Sequence, residues 1–227
     1  AGIGITGRAE ALHDVFAAAL GADADPGELS AGLGATWAVD DGYHKLHACC
    51  QYSHAAVEAS QEILAALDEN APEVRGIHID THWRARKLDN PAPATTLAAK
   101  FSLQHVLATT ARHGHAHAEA FQAGTLGDPA IAALRQTVTI GAFEPEPDWP
   151  NDRPARVRWE LADGTTIERT CLSARGGPDR PFAPAEMREK IMAIVGPPLP
   201  ALAEALDRVL ALDAAMLKRS WAEVVAP

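Results

Sequence analysis

The sequence predicts an α+β fold in which helical segments at both ends flank a mixed α+β region. Helical spacing of apolar residues dominates both ends of the chain. In the middle, Val74–Trp83 alternates apolar and polar residues, which is the pattern of a strand with one buried face. Two further alternating runs, Arg156–Leu161 and Thr165–Cys171, flank the dipeptide Asp163-Gly164, and these predict an antiparallel hairpin.

The first predicted helix, Arg8–Leu20, places apolar residues on one face and ends at Gly21. A Gly/Asp/Pro-rich stretch over residues 22–34 predicts a loop. A second helix is predicted from Ala48 to Leu67, and Pro72 prevents its continuation. The predicted strand at Val74 therefore follows directly after the end of this helix.

The central part of the chain contains both the spacing of apolar residues typical of helices and the alternation typical of strands. Helical patterns cover Ala94–Ala111 and Pro129–Gln136, and the period changes to two from Thr137 onward. Asp163-Gly164 then joins the predicted hairpin strands, because these residue types tolerate the positive φ angles of a tight turn. After a Gly/Pro-rich connector, the last predicted helices are Ala185–Ile194, Leu199–Leu212 and Met216–Val224.

Composition excludes several classes of protein. The 227 residues are 47% apolar and 22% charged, which is typical of globular rather than disordered or fibrous chains. A net charge of −10 disfavours nucleic-acid binding. No apolar run approaches the roughly 18 residues of a membrane span.

Three cysteines are too few for a disulfide framework, which favours the reducing cytoplasm. Because the chain lacks an initiator Met, we expect it to begin part-way through a longer polypeptide.

The densest cluster of chemically active side chains runs from Tyr43 to His54. Nine residues in these twelve positions can donate, accept or titrate, and they lie where a loop meets a predicted helix. Lys45 and a helix start would favour carboxylate binding there. Cys50 and His54, four residues apart, are predicted to share a helical face and one pocket. The alternative is that the cysteines are small core residues and the histidines are surface or cap groups.

A zinc site in this cluster is the third alternative. Cys50 and His54 have an acceptable spacing for ligands, but a second pair with matching spacing is missing, so the sequence favours no metal here. No Gly-rich nucleotide loop, Walker motif or HExxH motif occurs, and no cofactor is predicted.

Two further groups of polar residues admit two interpretations each. His113, His115 and His117 would share a face only on a strand, and a solvated turn in which they diverge is favoured. The basic run of Arg84, Arg86 and Lys87 is typical of a solvated strand end, or forms an anion clamp.

Five motifs in order resemble one known family. They are Gly4-Ile5-Thr6-Gly7, the stretch from Lys45 to His54 (KLHACCQYSH), Ala99–Leu103 (AKFSL), the Asp163-Gly164 hairpin, and Gly177-Pro178 with Pro181. Together they resemble the C-terminal half of the MmgE/PrpD family, which contains 2-methylcitrate dehydratases, cis-aconitate decarboxylases and iminodisuccinate epimerases. The resemblance covers essentially the whole chain.

The resemblance implies a division into domains. Residues 1–32 and 185–227 would belong to a helical domain, and residues 33–184 would form a smaller α+β lid. The active site of family members lies between the two domains, acts without a metal, and handles small di- and tricarboxylates. Groups that the family carries before the Gly-Ile-Thr-Gly turn are missing here, so an N-terminal half is expected in cis or as a second chain.

The resemblance also assigns roles to residues. Lys45 and His54 match the family lysine and histidine. On chemical grounds, Lys45 is expected to stabilise charge on the substrate carboxylate and His54 to shuttle protons, with His47 as the second candidate for proton transfer. The expected substrate-binding residues are Cys50, Arg84, Arg86, Lys100 and His105. Cys50 stands where some decarboxylases have histidine, which argues against decarboxylation, and His105 replaces a tyrosine of many members.

The expected function is that of a cofactor-independent hydro-lyase acting on a small hydroxy-carboxylate such as 2-methylcitrate. A related decarboxylase, isomerase or epimerase, or a non-catalytic member, is the alternative. The apolar faces of Leu199–Leu212 and Met216–Val224 predict a homodimer or a second chain. No membrane or nucleic-acid partner is expected.

Overall fold

The computed structural model describes residues 14, 15, 18, 21, 25, 27, 30–211, 214, 215, 218–220, 222 and 223. The predicted helix Arg8–Leu20 therefore lies largely outside the described residues, and the predicted helix Met216–Val224 lies partly outside them. Two compact units divide the chain, residues 1–42 and residues 43–227. The first unit contains a 3₁₀ helix at Ala38–Asp41, and the second contains every other element below.

A four-stranded mixed sheet forms the centre of the second unit. Its strands are β1 (Val74–Thr81), β2 (Val138–Ala142), β3 (Ala155–Leu161) and β4 (Thr166–Cys171), in the order β2-β1-β3-β4. β1 pairs parallel with β2 and antiparallel with β3, which pairs antiparallel with β4. The α+β class and the antiparallel hairpin are thereby confirmed.

The hairpin follows the local turn chemistry. β3 and β4 pair from Ala155 opposite Cys171 to Glu160 opposite Thr166. Gly164 has a φ of +86°, and its N–H donates to the Leu161 carbonyl at 3.0 Å. A side chain at Gly164 would be strained at this φ, so Asp163-Gly164 sets the register of the pair.

The helices of the second unit cover the sheet and extend beyond it. The described α-helices are α1 (His54–Ala66), α2 (Trp83–Arg86), α3 (Thr96–Lys100), α4 (Leu103–His113), α5 (Ala123–Leu126), α6 (Pro129–Thr137), α7 (Pro184–Val195) and α8 (Pro200–Leu210). α1 packs against β3, β4 and α4, and α4 packs against α6. A core that includes Ile63, Ile79, Leu107 and Trp159 fills the space between sheet and helices. None of the helices in the described part of the chain is long and apolar enough to cross a membrane.

The single helix predicted over Ala94–Ala111 is wrong, because two helices occupy this range. α3 ends at Lys100, and the Ser102 side chain then accepts a hydrogen bond from the His105 N–H and begins α4. A serine at this position is a strong N-cap, which favours a new helix start over continuation.

The predicted helix Ala48–Leu67 also begins later than expected. Cys50 has extended backbone angles, and a 3₁₀ turn at Gln51–Ser53 precedes α1. Cys50 and His54 therefore do not share a helical face, and that prediction is wrong. The predicted strand Val74–Trp83 likewise ends at Thr81.

Two leucines on neighbouring helices test the assignment of the core. Leu103 is fully buried on α4, whereas Leu97 is 65% exposed on α3. We expect Leu103→Ala to lower the free energy of unfolding by about 2–5 kcal/mol, because it leaves a cavity. Leu97→Ala is expected to change it by less than about 0.5 kcal/mol. Urea denaturation measures both, and equal losses would contradict this core.

Candidate functional site

A cleft of about 530 Å³ opens in the second unit between two loop segments and helix α7. Lys45, Leu46, His47 and Ala48 line it from one loop, and His117, Ala118 and Glu119 from the other. α7 contributes Glu186, Glu189, Lys190, Ala193 and Ile194. The cleft thus combines cations, imidazoles and carboxylates with apolar side chains.

Backbone hydrogen bonds hold the loop that carries Lys45 and His47. The Ala48 N–H donates to the Ala116 carbonyl at 2.8 Å, and the Cys50 N–H donates to the Lys100 carbonyl at 2.9 Å. The His44 N–H donates to the Gly176 carbonyl at 2.8 Å. Gly176 has a φ of +114°, and a Cβ there would collide with the His44 carbonyl, so only glycine permits this approach.

His47 and His54 form an edge-to-face pair below the cleft. Their ring centroids are 5.0 Å apart with an interplanar angle of 75°, and both side chains are buried. His54 Nδ1 lies 3.1 Å from the Tyr43 hydroxyl. His47 Nδ1 and His54 Nε2 are buried without a hydrogen-bond partner among the described residues. His47 lines the cleft, and His54 lies behind it.

Burial sets the charge of both imidazoles. It lowers the pKa of His47 to about 3, with smaller contributions from His54 and His117. Burial likewise lowers the pKa of His54 to about 4; the charges of Lys45 and Lys190 act in the same direction, and the Cys49 carbonyl opposes them. Both rings are therefore neutral at pH 7, a form in which imidazole can accept a proton.

Two lysines reach the cleft from different elements. Lys45 is exposed, and its Nζ lies 3.5 Å from the Cys49 carbonyl. Lys190 is half-buried on α7, and its pKa is lowered first by burial and then by the charge of Lys45. Within the described part of the chain, neither ammonium forms an ion pair with a carboxylate. Of the carboxylates at the cleft, Glu186 is held by Arg175 at 2.6 Å.

The predicted site residues fall into two groups. Lys45 and His47 line the cleft, His54 packs against His47, and Cys50 is half-buried on the same loop. Cys49 is buried, and burial raises the pKa of its thiol to about 12, so it remains protonated. The interpretation of a cysteine as a small core residue therefore fits Cys49.

The other four predicted residues do not line this cleft. Arg84 pairs with Asp152 at 3.8 Å and lies over the Trp83 ring, and Arg86 is exposed on the same short helix. Lys100 is half-buried and provides the carbonyl that accepts from Cys50.

His105 is fully buried and bonded within the core. Its Nε2 lies 3.0 Å from the Ala120 carbonyl, and its Nδ1 lies 3.2 Å from Arg135. Both ring nitrogens thus have protein partners, which is the environment of a histidine that fixes the packing of α4 on its neighbours.

Sequence reasoning missed Lys190, His117 and Glu119 as cleft residues. The prediction that the histidines at 113–117 diverge is wrong for two of them, because the His115 and His117 rings stack at 4.7 Å. Burial of Ala116 between them shows the alternation of an extended segment. The feature of the sequence that could have indicated this arrangement was the His-Ala-His alternation, which is typical of an extended segment. Lys190 had no local signal, because only tertiary packing brings α7 to the loop.

The second unit is thus an α+β domain with a cleft lined by two lysines and by the neutral imidazole of His47. The profile of the MmgE/PrpD C-terminal domain matches residues 47–214. The chain belongs to the MmgE/PrpD family, and it represents the C-terminal part of that family's fold. No curated protein gives a significant match to the chain. Family membership is compatible with enzymatic activity of the lyase type.

Proposed function

We propose that the chain forms the carboxylate-binding part of a hydro-lyase that dehydrates a small hydroxy di- or tricarboxylate such as 2-methylcitrate. The observation that carries this proposal is the pair formed by Lys45 and Lys190. Both side chains line the same cleft, the charge of Lys45 lowers the pKa of Lys190, and neither ammonium has a carboxylate partner among the described residues. An anion bound between them would relieve that repulsion.

The chemistry of dehydration matches the groups in the cleft. A base removes the proton α to a carboxylate, which adds electron density to a group that is already anionic. Cations fixed against that carboxylate stabilise the developing charge, and Lys45 and Lys190 supply them. His47, which lines the cleft, takes the proton once the negative charge of the bound carboxylate has raised its pKa from the low value that burial gives it, and the β-hydroxyl leaves as water after it is protonated. The products are the unsaturated carboxylate and water, so atoms and charge balance.

The proposal includes a second source of catalytic groups. Further proton-transfer residues would come from an N-terminal helical half, either in cis or as a second chain, and the active unit would be a homodimer. The division into a lid at 33–184 and helical parts at 1–32 and 185–227 belongs to this proposal. The cytoplasm is the proposed location, since Cys49, Cys50 and Cys171 are all free thiols.

Product analysis tests the reaction. The protein, in the assembly in which it is isolated, is incubated separately with 2-methylcitrate and with cis-aconitate, and proton NMR and CO₂ release are followed. Loss of water from 2-methylcitrate supports the proposal. Release of CO₂ from cis-aconitate, or epimerisation without loss of water, would replace it with the related reaction. Conversion of neither compound would overturn it.

Light scattering on the same sample tests the assembly. We expect the mass of a homodimer or of a complex with a second chain. A species with the mass of one chain that still turns over substrate would contradict the proposed assembly but leave the reaction intact.

A further inference from the structure

Three potential metal ligands meet at the rim of the cleft. His115, His117 and Glu119 each offer one ligand atom, and these atoms all lie within 4.8 Å of one another. The His115 and His117 rings stack with an interplanar angle of 18°. All three side chains are partly or fully accessible to solvent, so an ion can reach them without opening the core.

The backbone presents these side chains in a fixed arrangement. Ala116 is fully buried between the two histidines, and its carbonyl accepts from the Ala48 N–H at 2.8 Å. A 3₁₀ helix at Ala118–Phe121 follows at once, with Ala120 and Phe121 buried. The Thr125 hydroxyl donates to the Glu119 carbonyl at 3.0 Å. Because these contacts hold the backbone between and after the three residues, the proposed site is completed by rotations of their side chains.

The geometry points to a divalent transition-metal site, with Zn²⁺ as the best match, formed by His115, His117 and Glu119. Zinc accepts imidazole nitrogen and carboxylate oxygen at about 2.0–2.2 Å in a tetrahedral arrangement. Three protein ligands leave a fourth position for water or for a carboxylate oxygen. His117 and Glu119 line the cleft, so this open position lies on its rim.

Metal binding would disrupt few of the contacts that the structure shows. The backbone N–H of His117 donates to His115 Nδ1 at 3.3 Å, which is a long hydrogen bond that a change in the tautomer of His115 can release. Glu119 forms no ion pair with another described residue, so its carboxylate is available as a ligand.

His113 provides a matched control for the site. It belongs to the same run of alternating histidines and its ring lies 6.2 Å from that of His115, but it is not among the three ligands. Replacing it removes a solvent-exposed imidazole from the same segment and leaves the proposed site intact.

Calorimetric titration of the full chain, free of any histidine tag, with Zn²⁺ tests the site. We expect one equivalent of Zn²⁺ to bind, and His117→Ala and Glu119→Gln each to weaken it by about tenfold or more. His113→Ala should bind like the wild type. Circular dichroism of the metal-free variants shows whether each one is folded. The absence of a stoichiometric site, or equal weakening by His113→Ala and His117→Ala, would overturn the inference.

Cobalt substitution distinguishes this site from a thiolate site. Co²⁺ bound by two imidazoles and a carboxylate should give visible d–d absorption without a thiolate charge-transfer band, and Cys50→Ser should leave the spectrum unchanged. A spectrum that loses its intensity in Cys50→Ser would instead assign the metal to the cysteine loop and overturn the proposal. The calorimetric and spectroscopic readouts do not depend on enzymatic activity, so failure of the metal site can be distinguished from failure of the proposed lyase function.

Discussion

Lys45→Ala is expected to weaken 2-methylcitrate binding by roughly 10- to 100-fold and to reduce turnover by at least the same factor. A hydrogen bond to a charged group contributes about 1.5–3 kcal/mol, and each 1.4 kcal/mol corresponds to about tenfold in affinity. The loss in turnover should be the larger of the two, because Lys45 would also stabilise the charge that develops during proton abstraction. Dissociation constants and kcat measured side by side separate the two effects.

Lys87→Ala is the control for this substitution. Lys87 is also an exposed lysine, but its ammonium lies over the Trp83 ring at 4.4 Å and does not line the cleft. We expect it to change the net charge equally and to leave binding unaltered. Lys190→Ala should reproduce the loss seen for Lys45→Ala. If Lys45→Ala and Lys87→Ala have the same modest effect, the cleft does not bind the substrate through Lys45.

The second large effect is a loss of stability in acid caused by His54. This side chain is 1% exposed, and burial lowers its pKa from 6.5 to about 4 in the folded protein. As the pH falls below 6.5, the unfolded chain takes up a proton that the folded chain does not, so the free energy of unfolding decreases. The decrease ends near pH 4, where the folded form also binds the proton, and it totals about 3 kcal/mol.

Urea denaturation between pH 7 and about pH 4 measures this effect, a window set by the two pKa values of His54. Tyr43, His47, Lys45 and Lys190 are the titratable groups that face His54, and His47 adds a decrease of the same sign. His54→Gln should therefore reduce the dependence on pH without abolishing it. An unchanged dependence in His54→Gln would show that His54 is not held neutral by burial.

Elements with a strong local signal were predicted well from the sequence. The hairpin at Asp163-Gly164 was found within about a residue at each end, because an Asp-Gly turn needs no information from the rest of the chain. Helices α6 and α7 also match their predicted ranges closely, and both begin at a proline, which favours the first turn of a helix.

Apart from the helix start at Ser102, which has a local cause, the features that the sequence did not predict depend on tertiary context. The parallel pairing of β1 with β2 joins residues about 60 positions apart, as in Ile77 opposite Val138. No local pattern reports such a crossover. The extended segment around Ala116 forms because its carbonyl bonds to Ala48 on a distant loop. The local sequence around His115 and His117 therefore favours diverging side chains, although the structure stacks their rings.

The residues of the candidate site also divide into those that a local motif predicts and those that only tertiary packing reveals. Lys45 and His47 were recognised because they belong to one compact motif, and the structure places both in the cleft. Lys190 lies more than a hundred residues away on α7 and became visible only through packing. His105 stood out as a departure from the family pattern, but its bonds to Ala120 and Arg135 place it in the core.

Calorimetric titration of the wild-type chain with 2-methylcitrate, compared with propionate, tests most directly whether the cleft with Lys45 and Lys190 binds polycarboxylates. We expect saturable binding of one tricarboxylate per chain, weakened as salt rises because the attraction is between charges, and far weaker binding of the monocarboxylate. No saturable binding of 2-methylcitrate, or equal affinity for propionate, would contradict it.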